Sequence, residues 1–491
     1  MCMGKKLKDN EFDCLIIGGG IIGTAILDSL AKYKMKVGLI EQSHDVATGS
    51  SGANSGIVHA GYDCKPNTLK ALYNVEGNKL MWQVIKELNV PGEQCGSLVL
   101  AEEDQKDILI KLKKQGKENG VETEIVEGEQ LHQLEKNLTP NIKYGLYAKT
   151  AGIVSPYQLA IAYADRAVLN GAKIMTDNRV CALMKGGRDD DEIYFGISAP
   201  QGFLKCKFLV NAAGAEGSNI NDMLSYEHYE TTYRRGEYCL LDASERANIS
   251  KVLFPLPTEK GKGILVAPTA DGNVIYGPTS TLTTKGDART TSEGIKEIAE
   301  GIKRMYSKPN MANTLKVYAG VRSIIGDDFI VGASEYDKHY FMAIGICSPG
   351  LTSAPAIAKH ISKAIVLEGK YKVKKEVVTQ LPQRQRTVTM RPEEATKLIE
   401  EDETWGNIVC KCEKVSEHEI VEAIHAPFPA KTVDAIKKRL RTGMGKCQGG
   451  FCQPKIIEIL SRELNIPIDQ VRKDNIGSEV AVSRIKGLPD D

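Results

Sequence analysis

The sequence predicts an α/β chain: a Rossmann-type parallel-sheet domain interrupted by an inserted mixed sheet, followed by a small α-rich domain organised by cysteines. Three observations predict it. An apolar run over 12–17 leads into Gly18-x-Gly20-x-x-Gly23 and then a helical pattern with Ile26, Leu27 and Leu30 on one side. Strand-like runs flank the turn residues Pro200-Gln201-Gly202 and Asp271-Gly272. Near the C-terminus, Cys410-Lys411-Cys412 is answered after a helix-length interval by Cys447 and Cys452.

At 491 residues the chain is too long for one ordinary core and points to roughly three domains. A net charge of +1 gives no electrostatic case for nucleic acid or an anionic membrane surface. No apolar run approaches the roughly 20 residues that span a bilayer, and the first ten residues lack the apolar stretch of a secretory signal. A cytoplasmic protein without its own membrane span is therefore expected. Of the 12 cysteines, Cys2, Cys14, Cys64, Cys95, Cys181, Cys206, Cys239 and Cys347 are scattered singly and read as reduced, mostly packed thiols. No internal repeat or low-complexity tract is present.

In the first element, Gly18 permits the tight turn, Gly20 lets backbone amides approach a pyrophosphate, and Gly23 lets the helix pack on the strand. The helix N-terminus adds partial positive charge. A second strand over 36–40 ends at Glu41, placed for ribose hydroxyls. This motif does not separate NAD from FAD. The apolar run over 208–214 reads as a returning strand whose end, with Ala213 and Gly214, closes against the adenine half of the cofactor. Over 340–358 a strand, a turn at Gly345 and a helix opening at Gly350-Leu351-Thr352 follow in order. Such a helix end stabilises the negative charge a reduced flavin gains near N1 and its C2 carbonyl, although an ordinary β–α turn has the same pattern.

Between these landmarks Leu69, Leu72, Tyr73, Leu80, Val84 and Leu88 recur at helical spacing and read as core. Ser155-Pro156 with Gly171 brackets another helix. Runs over 192–198 and 204–210, and over 264–267 and 274–277, predict two hairpins within a mixed sheet that roofs the cofactor. Residues 371–407, rich in Lys, Arg, Glu, Gln and Pro, predict a linker or surface-wrapping connection.

The cysteine segment ends the chain. Four thiolates without a histidine suit a [2Fe–2S] cluster at Cys410, Cys412, Cys447 and Cys452. Zinc is the second reading, because structural zinc sites usually present Cys-x-x-Cys pairs. A helix over 432–440 buries Val433, Ile436 and Leu440, and the turn Gly443-Met444-Gly445 returns the second pair. Lys437, Lys438, Arg439, Arg441 and Lys446 would offset a cluster's negative charge or dock an acidic electron-transfer partner, unless they form an ordinary solvated helix face.

Taken together, Gly18–Gly23 with Glu41, Thr48 to Gly61 (including Asn54, Ser55 and His59), Asn211-Ala212-Ala213-Gly214, Ala319-Gly320-Val321-Arg322 and Gly345 to Thr352 resemble the D-amino-acid-oxidase-like flavoproteins. That family includes FAD-dependent glycerol-3-phosphate and L-2-hydroxyglutarate dehydrogenases. The cysteine segment resembles the bacterioferritin-associated-ferredoxin-like [2Fe–2S] domain, and the large subunit of anaerobic glycerol-3-phosphate dehydrogenase has the same two-part plan. The resemblance implies an oxidoreductase domain over 10–370, with FAD parts at about 10–90, 150–220 and 320–370 and substrate parts at about 91–149 and 221–319. A cluster domain over 408–470 and a polar tail over 471–491 would follow the 371–407 linker.

It also implies non-covalent FAD, hydride transfer from a small anionic hydroxy compound, and electrons passed through the cluster to an accepting protein subunit. Arg322 is the leading cation for the substrate's anionic group, with Arg234 and Arg235 as a second basic point. His59, in a His-x-Gly loop, is the expected proton acceptor, with a structural role shaping the flavin pocket through backbone hydrogen bonds as the alternative, and Asn54 and Ser55 would donate to flavin or phosphate oxygens. Asp63 departs from the glycerol-3-phosphate pattern, and the phrase Lys65 to Ala71 is closer to L-2-hydroxyglutarate dehydrogenase. Both substrates stay open, as does a flavin and iron–sulfur relay without turnover. A nicotinamide-driven reductase would need a second Gly-x-Gly-x-x-Gly turn, and the sequence has none.

Overall fold

The computed structural model describes residues 8–186, 195–257 and 263–481. Cys2, the first seven residues, the start of the run over 192–198 and the end of the polar tail lie outside the described residues.

An eight-stranded sheet carries the glycine turn. Its order is Ala182–Lys185, Phe195–Ala199, Gly202–Asn211, Glu11–Ile17, Val37–Ile40 and Lys173–Met175, with Tyr340–Ile344 and then Ile330–Ala333 pairing off the far end of Gly202–Asn211. Glu11–Ile17 is parallel to both neighbours, and Cys14, Leu15 and Ile16 are fully buried. A central parallel strand is covered on both faces, which is why this run is apolar without alternation. The hairpin Phe195–Ala199 to Gly202–Asn211 is antiparallel around the Pro200–Gly202 turn.

Helices Ile21–Ala31, Leu69–Glu87, Pro156–Leu169 and Gly350–Gly369 form one packed layer on this sheet. The second and fourth approach closely at Gly77, where an added Cβ would lie 2.1 Å from the Thr352 carbonyl oxygen. Most of the apolar positions expected in Leu69–Glu87 face this layer, but Leu72 is 56% exposed and is not core. That residue falls outside the stripe set by Ala71, Tyr73, Asn74 and Asn78, which are buried.

A nine-stranded mixed sheet lies beyond. It runs Thr281–Thr283, Thr232–Leu241, Val274–Gly277, Leu265–Pro268, Val252–Phe254, Ser97–Ala101, Tyr144–Ala148, Glu124–Glu127, with Thr314–Ile324 paired along Thr232–Leu241. Only Val252–Phe254 against Ser97–Ala101 is parallel among its pairs. The turn at Asp271-Gly272 joins Leu265–Pro268 to Val274–Gly277 as an antiparallel hairpin.

The C-terminal part is a short hairpin, Ile408–Cys410 with Val415–Ser416, and helices Glu417–Ile424, Val433–Leu440 and Gln453–Leu464 around Ile420, Ile436, Ile456 and Leu460. Ser416 and Thr432 cap the first two of these helices through their side-chain oxygens. Residues 371–407 wrap the surface and include a helix, Pro392–Glu401, that the charged composition concealed. Within that wrap, Arg384 pairs with Asp165, and Arg386 with the buried Glu419. The start of the polar tail is docked too, through Arg472 to Asp177 and Asn475 to His44. Among the described residues no helix is long and apolar enough to cross a membrane.

Candidate functional site

The nucleotide end is built from backbone. Gly18 has φ 106°, and a Cβ there would lie 2.4 Å from the Ala212 carbonyl oxygen; one at Gly23 would lie 1.9 Å from that of Gly18. Helix Ile21–Ala31 begins at Gly20 with neither a side-chain cap from that residue nor an acid in its first turn, the state of a helix end suited to an external anion. Glu41 is held at the end of Val37–Ile40 by N–H donors from Gly19 (2.6 Å) and Ser43 (2.8 Å), and its burial raises its pKa. Ala213 and Gly214 follow the returning strand, where Asn211 donates to the Gly217 carbonyl and the Tyr340 hydroxyl. These residues fit the pyrophosphate and ribose of a dinucleotide.

The loop from Ser50 to His59 crosses to the second sheet. The Asn54 amide donates to the carbonyls of Ser50 and Ser51, and its oxygen accepts from Gly56 N–H, so this side chain shapes the loop and does not face outward. Ser51, which the motif reading passed over, accepts from the Ile21 N–H at 2.9 Å and so sits at the helix start. Only its contact reveals it; a serine among Thr48, Ser50 and Ser55 carries no distinguishing sequence signal.

His59 is 8% exposed. Its N–H donates to Thr352 Oγ1 (2.9 Å), its Nε2 lies 3.3 Å from Ser348 Oγ, and its ring packs against Phe254. Thr352 in turn donates to the Ile57 carbonyl, so its hydroxyl joins the His59 loop to helix Gly350–Gly369. Gly345 takes φ 67° at the preceding turn, and Gly350 and Leu351 open the helix. Ser348 is a second residue that sequence reasoning missed, since nothing in the chain order connects it to position 59.

Strand parity decides the arginines. In the antiparallel pair Thr232–Leu241 with Thr314–Ile324, Arg234 is opposite Arg322, Gly236 opposite Gly320 and Tyr238 opposite Tyr318. These six share one face, because side chains alternate. It is the face toward the Asn54–Ser55 loop: Tyr318 donates to the Asn54 carbonyl (3.2 Å), and a Cβ on Gly320 would lie 2.0 Å from the Ala53 carbonyl oxygen. Burial pushes the Tyr238 phenol up, while Arg322 and Ser55, both within its hydrogen-bonding reach, pull it back. Arg322 also donates toward the Thr279 carbonyl (3.4 Å), and Arg234 donates to Ser280. Among the described residues neither arginine has a carboxylate partner.

Arg235 does not join them. It is buried on the opposite face, bound to Glu237 (3.0 Å) and Asp287 (3.2 Å), and this corrects the expectation that it serves the substrate. The Lys65–Ala71 phrase also has a structural explanation. The Asp328 carboxylate accepts from the N–H groups of Leu69 and Lys70, and Thr68 caps the same helix. The loop around Asp63 is pinned from the neighbouring helix, Gln115 donating to the Tyr62 carbonyl and Asn119 to those of Gly61 and Cys64.

The cysteines form two pairs. Cys412 and Cys447 have sulfurs 3.7 Å apart, and Cys410 with Cys452 forms a second hydrogen-bonded pair. The Cys452 thiol, against burial and with the amides of Gly443 and Glu413, lowers Cys410 to about 6. Amides of Phe451 and Gly449 lower Cys447. Backbone donors aimed at thiolate sulfur, and ligands in twos, fit a two-iron rhomb, whereas a single zinc needs one convergent tetrahedron. Gly445 is required here: a Cβ would meet that of Cys412 at 2.4 Å.

Comparison with known proteins fits this geometry. Residues 13–364 match the family model described as FAD dependent oxidoreductase. The chain belongs to that family. Residues 408–462 of this FAD-dependent oxidoreductase match a second model, the BFD-like [2Fe-2S] binding domain. The enzyme is 40% identical over 97% of its length, and 99% of the relative's, to a glycerol 3-phosphate dehydrogenase of Caloramator mitchellensis. It is 26% identical to the mitochondrial L-2-hydroxyglutarate dehydrogenase of Bos taurus, over 74% of this chain and 75% of that one. Among solved structures, the FAD-bound, dithionite-reduced L-alpha-glycerophosphate oxidase of Mycoplasma pneumoniae superposes with a TM-score of 0.71 at 30% identity, covering 76% of this oxidoreductase and 99% of that chain.

The basic helix of the cluster domain is also corrected by its contacts. Arg439 is fully buried and pairs with Asp45 (2.8 Å), whose carboxyl is held below its ordinary range by that guanidinium although burial opposes it. Lys438 reaches the Val46 carbonyl, and Arg441 is 8% exposed. These residues therefore anchor the cluster domain to the flavin domain. Lys446 remains exposed, beside Asp242.

Proposed function

We propose that the enzyme oxidises glycerol 3-phosphate at its secondary alcohol and passes the electrons through a [2Fe–2S] cluster to an external acceptor. The observation that carries this reading is the cross-strand pair Arg234 and Arg322. Like charges directly opposite in a sheet repel, and here hydroxyls and carbonyls are their only described partners. A phosphate dianion bridging both would relieve that repulsion and accept forked hydrogen bonds from each. A hydroxy diacid carries its two charges on carboxylates several bonds apart, each matching one guanidinium, and so does not concentrate charge between the pair.

Bound FAD supplies the two-electron acceptor for the substrate's C–H. Around it, Arg322 and Arg234 fix the phosphate and so orient the hydroxyl-bearing carbon. His59 Nε2 takes the hydroxyl proton, with Ser348 setting the orientation of the ring and Thr352 that of its backbone. Phe254, packed on the His59 ring, and the buried Tyr238 beside Arg322 are apolar walls that exclude water from their neighbours. The four cysteines would hold the cluster in two pairs, and an accepting protein subunit is the expected outlet.

Anaerobic mixing with glycerol 3-phosphate should bleach the flavin absorbance fully and rapidly, with L-2-hydroxyglutarate at least about tenfold less effective, one unmatched charge interaction in size. Preferential bleaching by L-2-hydroxyglutarate would replace the substrate assignment. No bleaching by either would leave the relay reading standing.

A further inference from the structure

We propose that Tyr157 and Met444 form the bridge by which electrons cross from the flavin domain to the cluster loop, an inference that rests on the flavin-to-cluster order above. Tyr157 lies in the first turn of helix Pro156–Leu169. Its hydroxyl donates to Asp271 (2.8 Å) and meets Met444 Sδ at 3.8 Å. Met444 sits between Gly443, whose amide faces Cys410, and Gly445, packed on Cys412.

On the other side, aromatic side chains line the arginine face. Tyr238 and Tyr318 stack with centroids 5.0 Å apart, Tyr318 bonds to the Asn54 carbonyl, and Tyr238 adjoins Ser55 and Arg322. Tyr157 is tied to the same substrate sheet through its hydrogen bond to Asp271, in the turn between Leu265–Pro268 and Val274–Gly277. The stacked Tyr238–Tyr318 pair and the Tyr157–Met444 contact are thus the polarisable groups between the arginine face and the cysteine loop.

Arg441 holds the junction. Its guanidinium binds Asp271 (3.0 Å), Asn273 (2.7 Å) and Glu413 (2.9 Å), the residue after Cys412, and comes within 3.4 Å of the Tyr157 hydroxyl. Substrate sheet, tyrosine and cluster loop are therefore fixed to one another. Burial and then Asp271 raise the Tyr157 pKa, so the phenol keeps its proton and serves as a neutral medium. Each crossing removes one electron from the reduced flavin and turns one ferric iron of the cluster ferrous. The flavin's proton goes to solvent, and a one-electron acceptor outside the chain empties the cluster before the second crossing.

Tyr157→Leu and Tyr157→Phe in the full-length holoenzyme test this. After anaerobic mixing with glycerol 3-phosphate, flavin bleaching should keep its wild-type rate in both. Appearance of the reduced-cluster signal in freeze-quench electron paramagnetic resonance should slow several-fold in Tyr157→Leu and far less in Tyr157→Phe, which keeps the ring. Acid-labile sulfide and the dithionite-reduced signal should be unchanged, and Met444→Ala, which shortens the other half of the contact, should reproduce the slow phase. Wild-type cluster reduction in both Tyr157→Leu and Met444→Ala overturns the bridge. Failure of the wild-type cluster to be reduced after the flavin has bleached overturns instead the flavin-to-cluster order.

Discussion

The flavin site and the cysteine site are assembled on opposite principles. The candidate flavin and substrate site draws on residues nearly 300 positions apart, with His59 joined to Thr352 and Ser348 and Arg234 opposite Arg322. The cysteine site takes its four thiols from two short segments within one small domain. The first is therefore a product of tertiary packing and strand register, the second of local turns. Damage should travel accordingly: far from its origin in one region, and hardly at all in the other unless the anchor between them breaks.

The largest expected effect lies at that anchor. Arg439→Ala strips the buried Asp45 and the Phe428 carbonyl of their partner. Removing one member of a buried pair costs about 3–5 kcal/mol. A separate low-temperature transition for the cluster domain in calorimetry, and proteolysis between residues 371 and 407, would show it; one unshifted transition would mean that the anchor lies elsewhere.

Next comes the contrast between neighbouring arginines. Arg322→Met should raise KM for glycerol 3-phosphate by about 10- to 100-fold, the 1.5–3 kcal/mol of a charged hydrogen bond, with the flavin spectrum retained. Arg235→Met should do the reverse, lowering thermal stability by unpairing Glu237 while leaving KM near wild type. Equal KM effects from the two would contradict the assignment of faces.

Gly77→Ala probes long-range assembly more gently. Its Cβ would press on the Thr352 carbonyl, separating two helices and shifting the His59 loop. Overpacking of this kind costs about 1–3 kcal/mol, and weaker FAD retention with intact labile sulfide is expected. The smallest effect is one of pH. Asp45 has a folded pKa below its usual 3.8, so its contribution to docking is complete above that value and fades as pH falls through the lower one. The docking transition of the wild type should weaken below about pH 4, and Asp45→Asn should flatten that dependence.

Sequence made some of this legible and hid the rest for identifiable reasons. Gly18, Gly23 and Gly445 stand where any Cβ would collide with backbone or a cysteine, so their chemistry is written in residue type. Spacing marks the four cysteines as one region, but the pairing of Cys412 with Cys447 and of Cys410 with Cys452 crosses between the two sequence neighbours and only the fold shows it. Arg234 and Arg235 are adjacent in the chain, and only the register with Arg322 tells which one shares its face. The basic run from Lys437 to Arg441 has the composition of a solvated helix face, and its inward direction follows from Asp45, Val46 and Asp271, distant residues that no local pattern points to. Ser348 and Ser51 were hidden for the same reason.

The central claim is that substrate electrons enter at FAD and leave through the four-cysteine cluster. Anaerobic addition of glycerol 3-phosphate to purified holoenzyme, followed by electron paramagnetic resonance, tests it most directly. The account predicts loss of flavin absorbance followed by a reduced [2Fe–2S] signal that disappears in Cys412→Ser while the bleaching remains. A bleached flavin beside an intact, permanently oxidised cluster would contradict it.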